Sequence, residues 1–384
     1  MHKRRAFWRN LTRATANDAM RVGVIGGGQL GRMMGLAGLP LGLDFVFLDP
    51  ADAPCAAAVG KHICAPFDDS SAIRSLAQQC DVLTFEFENA SADSLFSSSN
   101  VPVWPGKSAL LAAQERAVEK SLFERSGIPV APWRSVDSQQ ELDRAIEDLG
   151  FPLIAKTRRL GYDGKGQQRI RAREDADALF DAMGGVGLLV ERLVSFDMEL
   201  SVIGARSANG DLVVYPLTRN EHRHGILHRS QTVRVARELQ RQAVRHLRTL
   251  TMALDYVGVI AIEFFATKDL LLGNEFAPRV HNSGHWTQDG APYSQFENHL
   301  RAVCGLPLGR LDSHLHSGML NLIGRMPQAS EVLSLPNTFL HDYAKAPRAG
   351  RKLGHINCTA KDESHISPAL DALERALGES PGAA

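Results

Sequence analysis

"VGVIAIEFFATKDLLLGNEFAPR" (residues 257–279) has two apolar runs on either side of a turn at Asp269, a pattern that predicts a β-hairpin. Glu263 and Glu275 lie six residues before and after Asp269, so they should face each other. Side chains at matched positions point to the same side, and two like charges there cost free energy unless a cation compensates them. Mg²⁺ takes a few carboxylates and completes its shell with water and phosphate oxygens. The hairpin therefore predicts a site for Mg²⁺ and a nucleotide, or else two glutamates that face solvent at a sheet edge.

The polar stretch "NEFAPRVHNSGHWTQDG" (274–290) continues directly from this hairpin. It brings Arg279, His281, Asn282 and Ser283 within five residues of one another. A core strand would not have this composition, because buried polar groups need partners. The stretch therefore predicts a binding site, the alternative being a polar structural turn.

A glycine-rich loop, "GYDGKGQ" (161–167), follows the apolar strand "LIAKT" (153–157). Three glycines and Lys165 suit a flap whose backbone N–H groups and lysine cover phosphates, although the spacing is not that of a Walker A loop. Lys156 within the strand is expensive to bury unless it meets an anion. The alternatives are an ordinary turn and a lysine that reaches solvent from the strand end.

A second glycine motif, "GGGQLG" (26–31), fits the GxGxxG pattern between a strand and a helix. Asp49 lies about where the ribose-binding acid of a dinucleotide fold would be. The motif alone would support an NAD-dependent oxidoreductase, but its glycines and helix N-terminus would hold other anions equally well. Nothing downstream supplies an acid–base site for hydride transfer, so this reading ranks second.

The order of elements predicts an α/β protein. Near the N-terminus, apolar strands alternate with helical segments, which is typical of a parallel sheet of βαβ units. The segment 108–127 is predicted to be one helix with Ser108 as its N-cap. Asn209-Gly210 predicts a hairpin turn, and a long helix is expected over roughly 233–254.

The composition excludes several classes of protein. The 384 residues suffice for two or three domains, and the balance of 43 basic and 43 acidic residues argues against nucleic-acid binding. No apolar run reaches the length of a membrane span. The five cysteines form no CxxC pair, so we expect free thiols in a reducing cytoplasm. Residues 1–19 are expected to be a disordered tail or to precede the true start at Met20, an organelle transit peptide being the alternative.

Several co-linear motifs resemble those of a known family. The glycine turn, the Lys156 strand, the flap, "ERLV" (191–194) and the paired glutamates occur in the order typical of the ATP-grasp superfamily. "GGGQLGRM", "TFEFEN", "GYDGKGQ", "GILHRS", "NEFAPRVHNSGHWT" and "GRKLGH" resemble, more narrowly, the 5-(carboxyamino)imidazole ribonucleotide synthetases. The resemblance extends from about Met20 to about position 360. It implies a Rossmann-like domain (20–106), an ATP-grasp domain (107–303), a small β-rich C-terminal domain (304–384) and a homodimer.

The resemblance also implies a nucleotide site. Glu199 would meet the ribose hydroxyls, the "ERLV" backbone would meet adenine, and Glu263 with Glu275 would bind Mg²⁺. The residues assigned to ATP are Arg116, Lys156, Gly161, Tyr162, Asp163, Gly164, Lys165, Gly166, Gln167, Glu191, Arg192, Leu193, Val194, Glu199, His222, Asn274 and Glu275.

By the same resemblance, the polar stretch would hold bicarbonate. The Arg279 guanidinium could fork onto this planar anion, with His281, Asn282 and Ser283 around it. Bicarbonate would attack the γ-phosphate of ATP to give carboxyphosphate, with Lys165 and Mg²⁺ offsetting the charge. The amine of aminoimidazole ribonucleotide would then capture the released CO₂. His281 would act as a general base or would only orient the anion.

The ribonucleotide needs an anion site of its own. The run "KAPRAGRK" (345–352) would be a solvated surface on charge alone, but the resemblance implies that Lys345 and Arg351 bind the substrate phosphate. Its sugar or imidazole would be met by Gln29, Leu30 and Glu86, with Tyr162 and Asp163 from the flap; Glu88 competes with Glu86 for this role.

Two departures from the family pattern bear on the site. Leu160 stands where a second glycine usually precedes the flap tyrosine, which should stiffen the loop, and Arg219 replaces an expected acid. The rival readings are a sister ATP-grasp enzyme, such as a formate-using transformylase or a biotin carboxylase, and a nucleotide-binding regulatory protein. The HNSGH loop argues against the first, and intact Glu263, Glu275 and Arg279 argue against the second.

Overall fold

The N-terminal part of the chain forms a parallel sheet, as predicted. The computed structural model describes residues 19–161, 166–312 and 314–378. The sheet has the order β3-β2-β1-β4, and its apolar strands are buried because helices cover its faces. The sequence predicted three of its strands but not the short β3. The elements are β1 (Arg21–Ile25), α1 (Gln29–Gly38), β2 (Asp44–Asp49), β3 (Lys61–Cys64), α2 (Ser70–Gln78), β4 (Val82–Phe85) and α3 (Ala92–Ser98).

The helix predicted over 108–127 is in fact two helices, α4 (Lys107–Ala113) and α5 (Arg116–Arg125). Gly106, not Ser108, is the N-cap of α4. At the break, the Gln114 amide donates to the Glu88 and Ala90 carbonyls, both at 2.7 Å. These bonds tie the chain to the N-terminal domain, and Glu115 then caps α5 by accepting from the backbone N–H of Ala117.

A small lobe follows, built on an antiparallel sheet of order β5-β8-β6-β7. Its two central strands, β6 and β8, carry Lys156 and Glu191, so they bring these two ionisable groups side by side. The elements are β5 (Trp133–Val136), α6 (Gln139–Leu149), β6 (Leu153–Thr157), β7 (Gln167–Ile170), α7 (Leu179–Ala182) and β8 (Leu188–Arg192).

The largest sheet has nine strands among the described residues, in the order β14-β13-β9-β11-β12-β15-β17-β16, with β10 paired to β9. The predicted hairpin turn at Asn209-Gly210 joins β9 and β10. The strands are β9 (Met198–Arg206), β10 (Leu212–Val214), β11 (Thr218–Arg223), β12 (Ile226–Thr232), β13 (Gly258–Ala266), β14 (Leu271–Ala277), β15 (His316–Ile323), β16 (Thr338–Asp342) and β17 (Lys352–Ala360). The helices are α8 (Arg237–Ala253), α9 (Thr287–Gly290), α10 (Gln295–Val303), α11 (Ala329–Leu333) and α12 (Ile366–Ala376).

This sheet extends into the C-terminal part of the chain. β12 pairs with β15, with Arg229 opposite Leu320, Ser230 opposite Met319 and Gln231 opposite Gly318. The strands expected in a separate small domain therefore continue the central sheet, and "GILHRS" forms the strand where the two parts join.

Two predictions from composition can be compared with the structure. None of the helices in the described ranges is long and apolar enough to cross a membrane. All five cysteines are free. Apart from Ala19, the predicted N-terminal extension lies outside the described residues.

Candidate active site

The hairpin of β13 and β14 has the register predicted from its symmetry, with Glu263 opposite Glu275. A β-bulge follows Glu263, so that Asn274 is an extra residue in the ladder. Burial and the neighbouring Glu275 raise the pKa of Glu263. The Oδ1 atom of Asn274 is buried and makes no hydrogen bond to any described residue. These carboxylates and this orphaned oxygen fit a hard cation such as Mg²⁺.

The donor set also indicates how a metal would be held. No group of three or more His, Cys, Asp or Glu side chains in the described ranges is arranged around a common point. The residues therefore fit an ion bound by two carboxylates and completed by phosphate and water, rather than a cage made by protein alone.

Several residues assigned to ATP lie around this hairpin. Arg116 Nη1 is 3.2 Å from Glu275 Oε2, and its Nη2 donates to the Gly161 carbonyl at 3.4 Å. Lys156 is buried, as predicted, and meets an anion, but in this structure the anion is Glu191. Arg116 therefore connects the hairpin to the start of the flap.

Sequence reasoning missed a further lysine, Lys120. It is 3.0 Å from Glu191 and donates to the carbonyls of Gly273 and Asn274. Burial raises the pKa of Glu191, but Lys120 and Lys156 outweigh it and lower that pKa to about 2. The sequence could have indicated this lysine, because the helical period puts Lys120 on the same face of α5 as apolar core residues, where a lysine needs an anionic partner.

Glu199 and His222, on β9 and β11, form a hydrogen bond through Oε2 and Nδ1. Burial lowers the pKa of His222, but Glu199 outweighs it and raises that pKa to about 9. His222 therefore adds positive charge near the hairpin at neutral pH.

The "ERLV" segment has fewer free backbone donors than its predicted adenine contact requires. The N–H groups of Arg192 and Leu193 already donate to the carbonyls of Pro132 and Pro152. Val194 follows the end of β8. An adenine contact from this segment would therefore use its carbonyl groups or Val194.

The flap is described only at its ends. Gly161 and Gly166 are described, and Gln167 begins β7; Tyr162, Asp163, Gly164 and Lys165 lie outside the described residues. Leu160 has a φ of +61° and is 73% exposed. This left-handed conformation costs a non-glycine residue about 1–2 kcal/mol, a cost that glycine would avoid.

Arg279 and Glu88 form a two-bond ion pair between the polar loop and the N-terminal domain. Arg279 Nε donates to Glu88 Oε2 at 2.5 Å, Nη2 to Oε1 at 2.7 Å, and Nη1 to the Val280 carbonyl. Burial raises the pKa of Glu88, but Arg279 outweighs it and holds that pKa below its usual value. One N–H on each terminal nitrogen of Arg279 has no partner among the described residues and can bind an anion.

The other residues of the loop differ in what they offer a ligand. Both side-chain polar atoms of Asn282 are buried without a hydrogen bond to any described residue. Ser283 is fully buried, and its hydroxyl is 2.8 Å from His281 Nδ1. His281 Nε2 is 3.7 Å from Glu263 Oε1. Burial and then Arg279 lower the pKa of His281 to about 3, so this imidazole is neutral and weakly basic at neutral pH.

The first glycine turn is occupied by a carboxylate. Glu86 accepts from the N–H groups of Gly28 and Gly31, at the start of α1 where a dinucleotide pyrophosphate would bind. A Cβ at Gly28 would lie 2.7 Å from Glu86. The Asp49 carboxylate likewise accepts from Gly27 and Ala51. The glycine-turn N–H groups and the Asp49 carboxylate, on which the NAD hypothesis rests, already bond to other groups of this protein. This argues against the NAD hypothesis.

Gln29, Leu30 and Lys345, which are assigned to the ribonucleotide, lie at the same turn. Lys345, on the loop between β16 and β17, contacts the side-chain oxygen of Gln29. Burial lowers its pKa, although Glu86 nearby raises it. Arg351 lies further out and bonds to the Ala346 carbonyl. Leu30 is packed in the core, so only its backbone could face a substrate. Glu88 pairs with Arg279 instead, which separates it from Glu86.

Taken together, the two-lobed arrangement around a carboxylate hairpin defines an ATP-grasp enzyme. The ATP-grasp domain model matches residues 121–296. The chain belongs to the N5-carboxyaminoimidazole ribonucleotide synthase family, and two further models agree: a ribonucleotide synthetase preATP-grasp domain at 19–114 and a phosphoribosylaminoimidazole carboxylase C-terminal domain at 317–368. The predicted family, enzyme class and three-domain α/β fold are thereby confirmed.

Individual relatives cover nearly the whole chain. The N5-carboxyaminoimidazole ribonucleotide synthase of Pseudomonas aeruginosa is 46% identical over 356 residues, which are 92% of this chain and 99% of the relative. The crystal structure of the Thermus thermophilus synthetase is 43% identical, with a TM-score of 0.89 over 94% of this chain and 99% of that one. An Aspergillus clavatus synthase in complex with ADP and 5-aminoimidazole ribonucleotide is 31% identical, with a TM-score of 0.86 over 94% and 99% of the chains.

Proposed function

We propose that this protein carboxylates 5-aminoimidazole ribonucleotide with ATP and bicarbonate, in purine biosynthesis. The observation that carries the proposal is the position of the His281 loop against the carboxylate hairpin, with His281 Nε2 3.7 Å from Glu263. This contact supports an anion-binding role for the loop beside a metal site on the hairpin. The relative bound to ADP and the ribonucleotide supports an adenine nucleotide and this ribonucleotide as the ligands of one enzyme.

In the proposed reaction, a bicarbonate oxygen attacks the γ-phosphorus of ATP and the bond to ADP breaks, giving carboxyphosphate. Carboxyphosphate then breaks into CO₂ and phosphate, and the substrate amine attacks CO₂ and gives its proton to the phosphate just released. Arg279 and Asn282 would orient bicarbonate through their unused polar atoms. Lys165 would offset charge from the flap. Exclusion of water from the site would protect the intermediate, which water would otherwise destroy.

Mg²⁺ at Glu263 and Glu275 would neutralise charge on the transferring phosphoryl group. Replacing one carboxylate removes half of the charge that the hairpin offers the ion, so Glu263→Gln should weaken Mg²⁺ binding by about tenfold or more. The measurement is calorimetric titration of the variant with Mg²⁺ in the presence of ADP. Glu238→Gln, an exposed change on α8, is the control; equal Mg²⁺ affinity in both variants would contradict the site.

Lys345 is proposed to bind the substrate phosphate beside Gln29. Lys345→Ala should raise the KM for aminoimidazole ribonucleotide by about tenfold, because a charge-assisted hydrogen bond is lost, while the KM for ATP stays the same. Steady-state kinetics with each substrate varied would check this result. A change confined to the ATP KM would show that the lysine serves the nucleotide instead.

The proposed reaction is tested by phosphate release from Mg-ATP, with bicarbonate and ribonucleotide each added and omitted. Release that needs both, with bicarbonate-derived carbon in the product, is the expected result. Release that needs a different acceptor would move the substrate within the ATP-grasp class. No ATP cleavage under any combination would overturn the proposal.

The remaining assignments are also proposals. We infer a homodimer, as the family resemblance implied, in the cytoplasm, as the unpaired cysteines indicated, with domain boundaries after residues 19, 106 and 303. Multi-angle light scattering of the purified chain would test the dimer, and a monomer mass at micromolar concentration would contradict it.

A further inference from the structure

A chain of buried hydrogen bonds crosses the central sheet and ends at His281. Ser230 Oγ donates to Asn220 Oδ1 at 2.8 Å, and Asn220 Nδ2 donates to Ser201 Oγ at 2.5 Å. Ser201 Oγ donates in turn to Ser283 Oγ at 2.8 Å, and Ser283 Oγ lies 2.8 Å from His281 Nδ1. The three serines and Asn220 are all buried. Four polar side chains in a row are costly to bury unless each is satisfied by the next.

The strand register explains how these groups meet. Asn220 on β11 is directly opposite Ser230 on β12, and Ser201 on β9 is directly opposite Glu263 on β13. Directly opposite residues share a face of the sheet. The chain therefore lies on the same face as the carboxylates of the proposed metal site.

The direction of the chain follows from the amide of Asn220. An amide has one accepting end and one donating end, so Asn220 receives the proton of Ser230 and gives one to Ser201. The Ser201 hydroxyl then donates its own hydrogen bond to Ser283 Oγ. The proton of Ser283 is left to point at His281 Nδ1.

A second donor reaches the same nitrogen. The backbone N–H of Ser283 points at His281 Nδ1 at 3.3 Å. A nitrogen that accepts two hydrogen bonds carries no proton, so the proton of the neutral ring belongs on Nε2. That nitrogen is the one on the side of Glu263.

We propose that Ser201, Asn220 and Ser230 are positioning residues that fix the Nε2–H tautomer of His281. In this tautomer His281 donates a hydrogen bond to the anion in the loop and does not take a proton from it. The inference rests on the proposed function, because the anion is bicarbonate or the carboxyphosphate formed from it. It decides between the two roles that the sequence left open for His281.

The first test interrupts the chain of hydrogen bonds at Ser201, a residue that does not itself bond to His281. Ser201→Ala removes the hydroxyl that donates to Ser283, so the Ser283 hydroxyl loses the partner that holds its proton toward His281 Nδ1. The expected result is a rise of about tenfold in the KM for bicarbonate, with the KM for ATP unchanged. Ser317→Ala, which removes an equally buried hydroxyl outside the chain, is the matched control and should leave both constants unchanged.

A direct readout of the tautomer accompanies the kinetics. In protein labelled with ¹⁵N-histidine, the two ring nitrogens of His281 have different chemical shifts when only one carries the proton. The signals are assigned by their loss in His281→Gln. Wild-type protein should show protonated Nε2 and bare Nδ1, and Ser201→Ala should show a larger share of the Nδ1–H tautomer than wild type, limited by the Ser283 backbone N–H that remains.

The second test separates a donor from a base. The amide of His281→Gln can place an N–H near the position of Nε2 but cannot accept a proton, whereas His281→Ala offers neither. The inference predicts that His281→Gln is at least about tenfold more active than His281→Ala. Equal loss in both variants would overturn it, as would a wild-type signal with the proton on Nδ1.

These outcomes are distinct from failure of the proposed function. If wild-type protein cleaves no ATP in response to bicarbonate, the proposed function fails. If it does, but Ser201→Ala keeps the wild-type KM for bicarbonate and the wild-type tautomer, only the positioning chain is wrong.

Discussion

Arg279→Ala is expected to lower bicarbonate-dependent ATP cleavage by about a thousandfold, a loss comparable to removal of a preorganised charge-stabilising donor. ATP affinity should change by less than about threefold, because Arg279 contacts Glu88 and the loop rather than the predicted nucleotide residues. The guanidinium keeps one N–H on each terminal nitrogen for a planar anion, and alanine offers none. The measurements are phosphate release at saturating bicarbonate and calorimetric binding of Mg-ADP.

The ion pair with Glu88 calls for its own control, because Arg279→Ala also leaves a partly buried carboxylate without its partner. Glu88→Gln keeps the guanidinium and should retain activity within about tenfold of wild type. The double variant Arg279→Ala/Glu88→Gln should be as inactive as the single arginine variant. Recovery of activity in the double variant would show that Arg279 only neutralises Glu88 and does not hold bicarbonate.

Glu191→Gln is expected to lower the free energy of unfolding by about 3–5 kcal/mol, the usual cost of removing one partner of a buried ion pair. It would leave two buried ammonium groups, Lys120 and Lys156, without their shared carboxylate. Urea denaturation at neutral pH would measure the change. Glu297→Gln, which breaks the helical pair with Arg301 nearer the surface, should cost only about 0.3–0.5 kcal/mol.

The same variant has an expected pH dependence. The folded pKa of Glu191 is about 2, below its usual value of 4.5, so its stabilising contribution is complete above about pH 4.5 and is lost as the pH falls toward 2. The stability difference between wild type and Glu191→Gln should therefore shrink over that range. A difference that stays constant down to pH 2 would contradict the assigned ion pair.

Local patterns predicted the carboxylate hairpin well. The pairing of Glu263 with Glu275 follows from the symmetry of the two strands about their turn, and a short hairpin leaves few other registers. The parallel N-terminal sheet could be predicted equally well, because its strands are continuous apolar runs separated by glycine turns and helices.

Long-range contacts explain what the sequence could not provide. The break after α4 depends on hydrogen bonds from Gln114 to the carbonyls of Ala90 and Glu88, 24 and 26 residues earlier. Helix propensity is a local property and cannot predict such a contact. Arg279 and Glu88 are 191 residues apart, so their pairing depends on how two domains pack. The role of Glu86 at the glycine turn was hidden for the same reason, since a GxGxxG pattern does not reveal which anion fills it.

The shared sheet also bears on how this chain can vary in evolution or by design. A domain on a flexible linker can be exchanged between proteins as a unit, whereas one that continues its neighbour's sheet cannot. Without the C-terminal strands, β12 would become an open edge able to recruit other chains, and the buried Glu374 would no longer compensate Arg223 and His228. The C-terminal part is thus continuous with the central sheet and not an interchangeable module.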